Sequence, residues 1–416
     1  MSTSGLPAGR WQAAAAAAGL LGSDDGVRPT IFAEMSALAA STGAINLGQG
    51  YPDEDGPGAV KQVAIQAITD GINQYPPGRG IAELRQAVAD HQRRHYGIAV
   101  DSSEVLITTG ATEALAAALL ALAEPGSEVL TLEPFYDAYT ALIALSGARH
   151  TTVGLRGTEQ GFRLDLDALQ AAVTPRTRIL LLNSPHNPTG AVLTRPELAA
   201  IAEVARTHDL IVVTDEVYEH LTFDGASHVP MATLPGMAQR TLTISSVGKT
   251  FSFTGWKVGW ISGPAPLVDA VQTVKQFLTY VSGAPFQPAV AHALNLEISD
   301  DPDAGYVNEL ASSLQRRRDL LIAGLRQAGM PVVPSHGTYF VVADATGVID
   351  RHGLSDAAAL CRGLPDLCGV VAIPMTAFTH AGSATAAQVR NQVRFTFTKS
   401  QSTLHRAIDR LARLAD

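Results

Sequence analysis

Lys249 is the residue of this sequence that is the strongest candidate for a catalytic role. It lies in the segment SSVGKTFSFTGWKVGW, residues 245–260, between apolar runs at 240–244 and 258–261. These runs predict two strands, so the lysine falls in a loop where a sheet edge meets a cleft. Burial in such a place lowers the pKa of an ammonium group and makes it a usable nucleophile or Schiff-base former.

Two simpler interpretations of Lys249 must be weighed first. Most lysines are solvated surface charges with no further role. The Gly-Lys-Thr triplet at 248–250 also matches the end of a phosphate-binding P-loop, but residue 243 is Thr where that motif needs its first Gly. A functional role for Lys249 therefore depends on other polar residues at fixed offsets from it.

The elements that must position such residues alternate between strands and helices. Helical patterns at 113–123, 165–172 and 196–207 separate short apolar strands. The strand-like runs are 105–108, 128–132, 179–182, 211–213 and 242–244. Continuous apolar strands between helices predict a mostly parallel sheet that is covered on both faces. Ligands of such α/β folds bind beyond the carboxyl ends of the strands.

The rest of the chain predicts a smaller α+β part and an N-terminal arm. A long helical region at 267–327 precedes strands at 338–342, 370–373 and 393–397 and a closing helix at 404–414. Because no flexible linker interrupts the composition, we expect tightly packed lobes. The predicted division is an arm at 1–28, a small-domain segment at 29–60, a large domain at 61–300 and a small C-terminal domain at 301–416.

Polar residues follow three of the predicted strands. Residues 109–112 (Thr-Gly-Ala-Thr) open a helix, where free N–H groups and the helix dipole favour an anion. Asn187 lies in the segment NSPHNPTG at 183–190, either as an amide donor stiffened by prolines or in a tight turn. Asp215 is either a helix N-cap or a buried anion with a cationic partner, and Tyr218 would face the same side.

Composition limits the classes of function. The chain has 416 residues, 46% of them apolar and 17% charged, with a formal net charge of −9. An acidic chain without a basic stripe argues against a nucleic-acid partner. Cys361 and Cys368 have no zinc-motif spacing and form no disulfide framework. No apolar run reaches membrane-spanning length, and the Ala-rich run at 11–21 lacks the charged start of a signal peptide, so we expect a cytoplasmic protein.

Several longer motifs accompany these residues. They are FAEMSAL at 32–38, NLGQG at 46–50, NQYPPG at 73–78, EPFYD at 133–137, GWKVGW at 255–260, SGAPFQP at 282–288, GTYF at 337–340 and IPM at 373–375. Together they make residues 30–414 resemble class I/II pyridoxal-phosphate (PLP) dependent aminotransferases of fold type I. The motif sequences resemble those of the kynurenine/methionine/glutamine transaminase branch, and more closely those of actinobacterial N-succinyldiaminopimelate aminotransferases.

The resemblance implies a fold and a set of catalytic roles. It implies a large domain with a mostly parallel seven-stranded sheet between helices, and a smaller α+β domain. Lys249 would form a Schiff base with PLP and move the substrate proton, and Asp215 would pair with the pyridinium nitrogen. Tyr218 and Asn187 would hydrogen-bond the ring oxygen O3′. No metal is implied.

The resemblance also implies how cofactor and substrate are held. Tyr136 would stack on the cofactor ring, and the substrate carboxylate would bind Arg394 with help from Asn187 and the Gly50 backbone. Many members carry arginine at the position of Lys257, and lysine keeps the charge without the bidentate fork. The implied phosphate-binding residues are Gly110, Ala111, Thr112, Ser246 and Lys257.

A homodimer is part of the implied active site. Tyr75 would reach the phosphate bound by the neighbouring subunit, so each site would be shared across the interface. The Glu133–Pro134 and Asn187–Pro188 peptide bonds are predicted to be cis by the same analogy.

The expected activity is ping-pong transfer of an α-amino group between an amino acid and a 2-oxo acid. The expected pair is N-succinyl-L,L-diaminopimelate with 2-oxoglutarate or glutamate, as in lysine biosynthesis. The alternative is a kynurenine/methionine/glutamine-type transaminase with cysteine-S-conjugate β-lyase activity. A PLP-binding transcriptional regulator is disfavoured, because only about 28 residues precede the fold and the chain is acidic.

Overall fold

Three β-sheets and sixteen α-helices make up the computed structural model over the part that it describes, residues 9–22 and 26–415. The strands are β1 (Ile45–Asn46), β2 (Val105–Thr108), β3 (Glu128–Glu133), β4 (Arg149–Thr158), β5 (Gly161–Leu164), β6 (Thr177–Asn183), β7 (Ile211–Asp215), β8 (Thr241–Ser246), β9 (Gly259–Ser262), β10 (Val332–Val333), β11 (Phe340–Asp344), β12 (Val370–Val371), β13 (Ile373–Pro374) and β14 (Gln392–Thr396). The helices are α1 (Arg10–Ala17), α2 (Ile31–Thr42), α3 (Gly58–Thr69), α4 (Ala82–Tyr96), α5 (Gly110–Leu122), α6 (Ala138–Ser146), α7 (Leu166–Ala172), α8 (Arg195–Thr207), α9 (Val247–Thr250), α10 (Ala265–Lys275), α11 (Phe286–Asn295), α12 (Tyr306–Gln327), α13 (Thr346–Arg351), α14 (Ala357–Cys368), α15 (Ala384–Gln388) and α16 (Gln401–Leu411).

The largest sheet has the strand order β2-β9-β8-β7-β6-β3-β4-β5. Strands β8, β7, β6, β3 and β4 run parallel, whereas β9 is antiparallel to both of its neighbours. Strands β2, β3, β8 and β9 are buried along their whole length, as expected for a sheet covered on both faces. The prediction of a mostly parallel sheet between helices is confirmed.

The sheet has one strand more than the seven that were predicted. Strand β5 pairs with the far end of β4 in an antiparallel hairpin and forms the eighth strand. The apolar-run criterion missed both strands, because β4 is polar and largely exposed or half-buried. The peptide bonds before Pro134 and Pro188 are cis, as predicted, and Ser184–Pro185 is a third cis bond.

Two smaller sheets are built from the C-terminal part of the chain. Strands β10, β11, β14 and β13 form an antiparallel sheet, and β12 pairs with β1 in a parallel pair. The strand predicted at 370–373 is thus divided between two sheets. The domain boundaries at 28, 60 and 300 stay predictions.

One buried apolar cluster connects the large sheet with the C-terminal sheet. It contains Leu180 and Val212 from the parallel strands, and Val341, Phe395 and Leu321 from β11, β14 and α12. Each such side chain stabilises the fold by about 1.5–3 kcal/mol when it is fully buried. The shared core therefore holds β14 at a defined position relative to β7.

The predicted helices differ from the structure mainly at their ends. The region predicted as helical at 267–327 contains three helices, α10 to α12. Helix α1 lies in the predicted N-terminal arm, where Arg10 Nη1 donates to the Leu145 carbonyl at 2.6 Å. Residues 1–8 and 23–25 of that arm lie outside the described residues. Over residues 9–22 and 26–415, no helix combines the length and apolar character needed to cross a bilayer.

Candidate active site

A cavity of about 320 Å³ lies at the carboxyl ends of three neighbouring parallel strands. The last residues of β6, β7 and β8 (Asn183, Asp215 and Ser246) all line it. This is the edge at which a parallel sheet binds ligands. The predicted site residues on its wall are Gly50, Gly110, Ala111, Thr112, Tyr136, Asn187, Asp215, Tyr218, Ser246, Lys249, Lys257 and Arg394.

Lys249 lies in the four-residue helix α9 and is half-buried, so the predicted loop is wrong. Its Nζ donates to the Tyr339 hydroxyl at 2.7 Å, and that hydroxyl donates to the Gly50 carbonyl. The ammonium also lies 5.9 Å from the centroid of the Tyr218 ring, within the range of a cation–π contact. The lysine is therefore held inside the cavity by a tyrosine that the sequence indicated only as part of the GTYF motif.

Asp215 is buried at the end of β7, with 5% of its surface exposed. A turn follows it rather than a helix, so the N-cap interpretation is wrong. Its Oδ2 accepts from the Tyr139 hydroxyl at 2.8 Å and its Oδ1 from the Val217 N–H at 3.4 Å. Burial raises the pKa of this carboxyl to about 6, although the Tyr139 hydrogen bond and the Lys249 charge act to lower it. A cation placed beside it would restore its ionisation.

Tyr218 and Asn187 offer hydrogen-bond donors near Asp215. Burial raises the pKa of Tyr218 well above its ordinary value, so its hydroxyl keeps its proton at neutral pH. The Asn187 N–H donates to Asn183 Oδ1 at 2.7 Å, and Asn183 Nδ2 donates to the Asp215 carbonyl at 2.7 Å. Asn187 Oδ1 accepts from Arg394, which leaves its amide nitrogen to donate.

The start of helix α5 forms one end of the cavity. Gly110 has φ +76°, and a Cβ built there would lie 3.2 Å from Lys257 Nζ. A Cβ on Gly259 would lie 2.7 Å from the Gly110 carbonyl carbon, so small residues let β9 approach the helix start. A helix N-terminus and an ammonium group repel each other unless an anion lies between them. This end of the cavity is therefore suited to a phosphate.

Arg394 forms a second cationic group, buried in β14 with 3% of its surface exposed. Its Nη1 donates to Asn187 Oδ1 and its Nη2 to the Gly48 carbonyl, both at 2.9 Å and both neutral acceptors. The guanidinium carbon lies 3.9 Å from the Phe340 ring centroid and 4.5 Å from that of Phe378. Burial lowers the pKa of Arg394 to about 10, which still leaves it charged at neutral pH. The arrangement is suited to a carboxylate ligand.

Tyr75 is the one predicted site residue that the chain does not bring to the cavity. It is 81% exposed, and its ring packs edge-on against Tyr280 with centroids 5.4 Å apart. Three contributors to the site had no role assigned from the sequence, namely Tyr139, Tyr339 and Phe340, although the last two belong to the GTYF motif. The contacts that involve them are formed between segments distant in the sequence, so local patterns assign them no partner.

The cavity combines an amine, a buried carboxyl and a phosphate-sized anion site. This donor set matches PLP, whose aldehyde reacts with an amine, whose ring nitrogen pairs with a carboxylate and whose phosphate binds a helix start. The protein is thus of the class of fold type I PLP-dependent enzymes.

Comparison with known proteins identifies the family. Residues 42–411 match the family described as aminotransferase class I and II, and the chain belongs to it. It is 55% identical over 392 residues to a probable N-succinyldiaminopimelate aminotransferase of Mycobacterium tuberculosis, covering 93% of this chain and 96% of that protein. It is 37% identical to the methionine aminotransferase of Escherichia coli, covering 92% and 96%. The chain is accordingly a PLP-dependent aminotransferase.

Solved structures agree with this assignment. The N-succinyldiaminopimelate aminotransferase from Mycobacterium tuberculosis superposes with a TM-score of 0.88 over 93% of this chain and 97% of that chain, at 55% identity. Aspartate aminotransferase from Thermus thermophilus, in a structure with maleate, superposes with a TM-score of 0.84 over 93% and 97%, at 31% identity. The predicted fold type I architecture is confirmed.

Proposed function

We propose that the chain transfers the free α-amino group of N-succinyl-L,L-diaminopimelate to 2-oxoglutarate by a ping-pong reaction. The amino donor becomes a 2-oxo acid, and 2-oxoglutarate becomes glutamate. The observation that carries this substrate is the 55% identity, over 93% of the chain, to the relative named for it. The relatives named for methionine and kynurenine are 37% identical or less among those compared.

Within this proposal, Lys249 and Asp215 carry the chemistry. When bound, PLP supplies an electrophilic aldehyde and an electron-accepting ring. Lys249 Nζ would hold the cofactor and would accept and return the proton at the substrate Cα. Its hydrogen bond with the Tyr339 hydroxyl supports this role, because it positions the amine within the cavity. Asp215 would pair with the pyridine nitrogen and keep it protonated, and the Tyr139 hydroxyl orients its carboxyl.

Other residues orient the cofactor. Tyr218 and Asn187 would donate to the ring oxygen O3′, and Tyr136 would stack on the ring. Burial raises the pKa of Tyr136 to about 12, so its hydroxyl keeps its proton at neutral pH. The phosphate would be held by Gly110, Ala111, Thr112, Ser246 and Lys257.

Arg394 binds the α-carboxylate of the substrate. Its guanidinium is held in one orientation by the Asn187 oxygen, the Gly48 carbonyl and the Phe340 ring. A carboxylate that enters the cavity then meets a charged group that has already lost its water, and the pair is strengthened by the low local dielectric. Asn187 and the Gly50 backbone assist. Retention of the carboxylate in this way favours transamination over decarboxylation.

We also propose a homodimer in which Tyr75 reaches the phosphate site of the partner subunit. Support comes from exposed aromatic side chains, since Tyr280, which packs against Tyr75, is 50% exposed and Phe277, three residues before it in sequence, is 82% exposed. Exposed aromatic groups of this size are typical of protein interfaces. Sedimentation measurements of the wild type and a Tyr75→Ala variant, with cofactor affinity as a second measurement, test this part. The cytoplasmic location stays a prediction.

The substrate is tested by half-reaction spectroscopy on the purified PLP form. N-Succinyl-L,L-diaminopimelate is expected to convert the cofactor absorbance to that of its amino form, whereas kynurenine and methionine convert it slowly. Faster conversion by kynurenine or methionine than by N-succinyl-L,L-diaminopimelate would assign the protein to the kynurenine/methionine/glutamine branch. Pyruvate release from a cysteine S-conjugate, without conversion by any donor, would indicate β-elimination instead.

A Lys249→Ala variant tests the site itself. Without this amine the protein is expected to lose the covalent PLP absorbance and at least about 10⁴-fold in the rate of the half-reaction, the scale of losing an essential nucleophile and base. Covalent absorbance at the wild-type level in this variant would show that another residue binds the cofactor.

A further inference from the structure

Three histidines meet outside the candidate active site. His91 and His95 are four residues apart on α4 and therefore share one face of the helix. His220 lies in the turn that follows β7. One ring nitrogen from each residue lies within 4.8 Å of the other two. His91 is buried, and the other two are half-buried.

The geometry of the three rings is close to that of a metal site. His91 Nε2 and His220 Nε2 are 2.7 Å apart, and the centroids of the His91 and His95 rings are 4.5 Å apart. Tetrahedral zinc with bonds of 2.0–2.1 Å to nitrogen separates its ligand atoms by about 3.3 Å. Small side-chain rotations within this cluster therefore produce the separations that a metal ion requires.

The surroundings supply a carboxylate and buried polar atoms without partners. Glu297 Oε2 lies 3.0 Å from His95 Nε2. His91 Nδ1 and the Gln92 side-chain amide, also buried, have no hydrogen-bond partner within the described part of the chain.

We propose that His91, His95 and His220 bind one divalent first-row transition ion, for which Zn²⁺ is the best match. Imidazole is a ligand type that Zn²⁺ favours, and the Glu297 carboxylate would orient the His95 ring through its contact with Nε2. Mg²⁺ and Ca²⁺ prefer sites made of oxygen atoms and are excluded by the same chemistry. A network of neutral histidines joined by hydrogen bonds is the competing explanation.

The site would connect two distant segments of the chain. His91 and His220 are 129 residues apart in sequence. His220 ends the turn that begins after Asp215 and contains Tyr218, two residues on the wall of the PLP cavity. A metal ion bound here would hold that turn against α4. Its role is structural, and the proposal does not depend on the identity of the amino donor.

Metal analysis of the PLP-loaded full-length protein tests the proposal. After chelator dialysis, the protein is titrated with ZnCl₂, desalted and measured by mass spectrometry of its metal content. The wild type is expected to retain about one Zn²⁺ per chain. Glu297→Gln removes a group that orients a ligand and should weaken Zn²⁺ binding by roughly 10–100-fold. His95→Gln and His220→Gln remove ligands themselves and should weaken Zn²⁺ binding by more than that. His208→Gln is the matched control, because His208 is exposed at the end of α8.

A second measurement keeps the test decisive if a variant misfolds. Each variant is compared with the wild type by its PLP absorbance and its melting temperature without metal. In the wild type, Co²⁺ should produce the visible absorption of tetrahedral cobalt, and Zn²⁺ should abolish it. Failure of the wild type to retain Zn²⁺, or equal retention by the wild type, His95→Gln and His220→Gln, would overturn the proposal in favour of the hydrogen-bonded network.

Discussion

Two cationic groups line the same cavity in very different surroundings. Lys257 is exposed, with its Nζ at the glycine that opens α5. Arg394 is buried against Phe340 and donates to two neutral oxygens. An exposed ammonium keeps most of its hydration. A bound anion therefore gains little binding free energy from it beyond what the backbone N–H groups provide. A buried guanidinium has already lost its water, so an anion that binds it gains much more binding free energy. Such a group also discriminates more strongly between ligands.

Among the changes that test this comparison, Arg394→Ala is expected to have the largest effect. The rate constant kcat/KM for the amino donor should fall roughly 10²–10³-fold, because the substrate carboxylate loses a desolvated charged partner. The dissociation constant of PLP should stay near the wild-type value. Steady-state kinetics at saturating PLP and a cofactor titration measure the two effects. Arg195→Ala, at an exposed arginine that starts α8, serves as control. An equal loss of kcat/KM and of PLP affinity would show that Arg394 does not act on the substrate alone, and that the two ends of the cavity are not separate substrate and phosphate sites.

The second prediction concerns the buried carboxyl of Asp215 and its effect on stability. Its pKa in the folded protein, about 6, lies above the ordinary 3.8, so the folded state holds this proton more tightly than the unfolded state does. The resulting stability is complete below about pH 4 and is lost as the pH rises towards 6 and above.

The corresponding prediction concerns protein without cofactor. Between pH 4.5 and pH 7 this carboxyl should reduce the free energy of unfolding of the wild type by about 2 kcal/mol, and Asp215→Asn should remove that reduction. Urea unfolding at both pH values measures it. An identical pH dependence in the two proteins would mean that the folded state leaves the pKa of Asp215 unchanged.

Lys257→Ala should produce the smallest effect. We expect the dissociation constant of PLP to rise about tenfold, because the backbone N–H groups of α5 remain. With PLP saturating, kcat/KM for the amino donor should change little. Lys61→Ala, which removes an exposed ion pair with Asp55, is the matched control. A large loss of kcat/KM at saturating PLP would show that Lys257 acts on the substrate as well.

Local patterns were sufficient for the fold class and for part of the cavity wall, whereas the family resemblance supplied Gly50, Tyr136, Ser246, Lys257 and Arg394. Apolar runs predicted the parallel strands, because a strand buried on both faces needs such side chains at every position. Polar or small residues directly after those runs lie at the carboxyl edge of the sheet, and so Asp215 and Lys249 reached the cavity as predicted. The polar strand β4 and its partner β5 fell outside this rule.

The tertiary structure decided what surrounds these groups. The partners that position them, Tyr139 for Asp215, Tyr339 for Lys249 and Asn187 for Arg394, lie 76, 90 and 207 residues away in sequence. The histidine cluster of α4 and the turn after β7 was likewise absent from the sequence interpretation. Periodicity and turn propensity report on neighbours a few residues apart, whereas burial, pKa shifts and hydrogen bonds depend on which distant segments pack together. The sequence by itself thus determined which groups are available, and only their packing determined their environment.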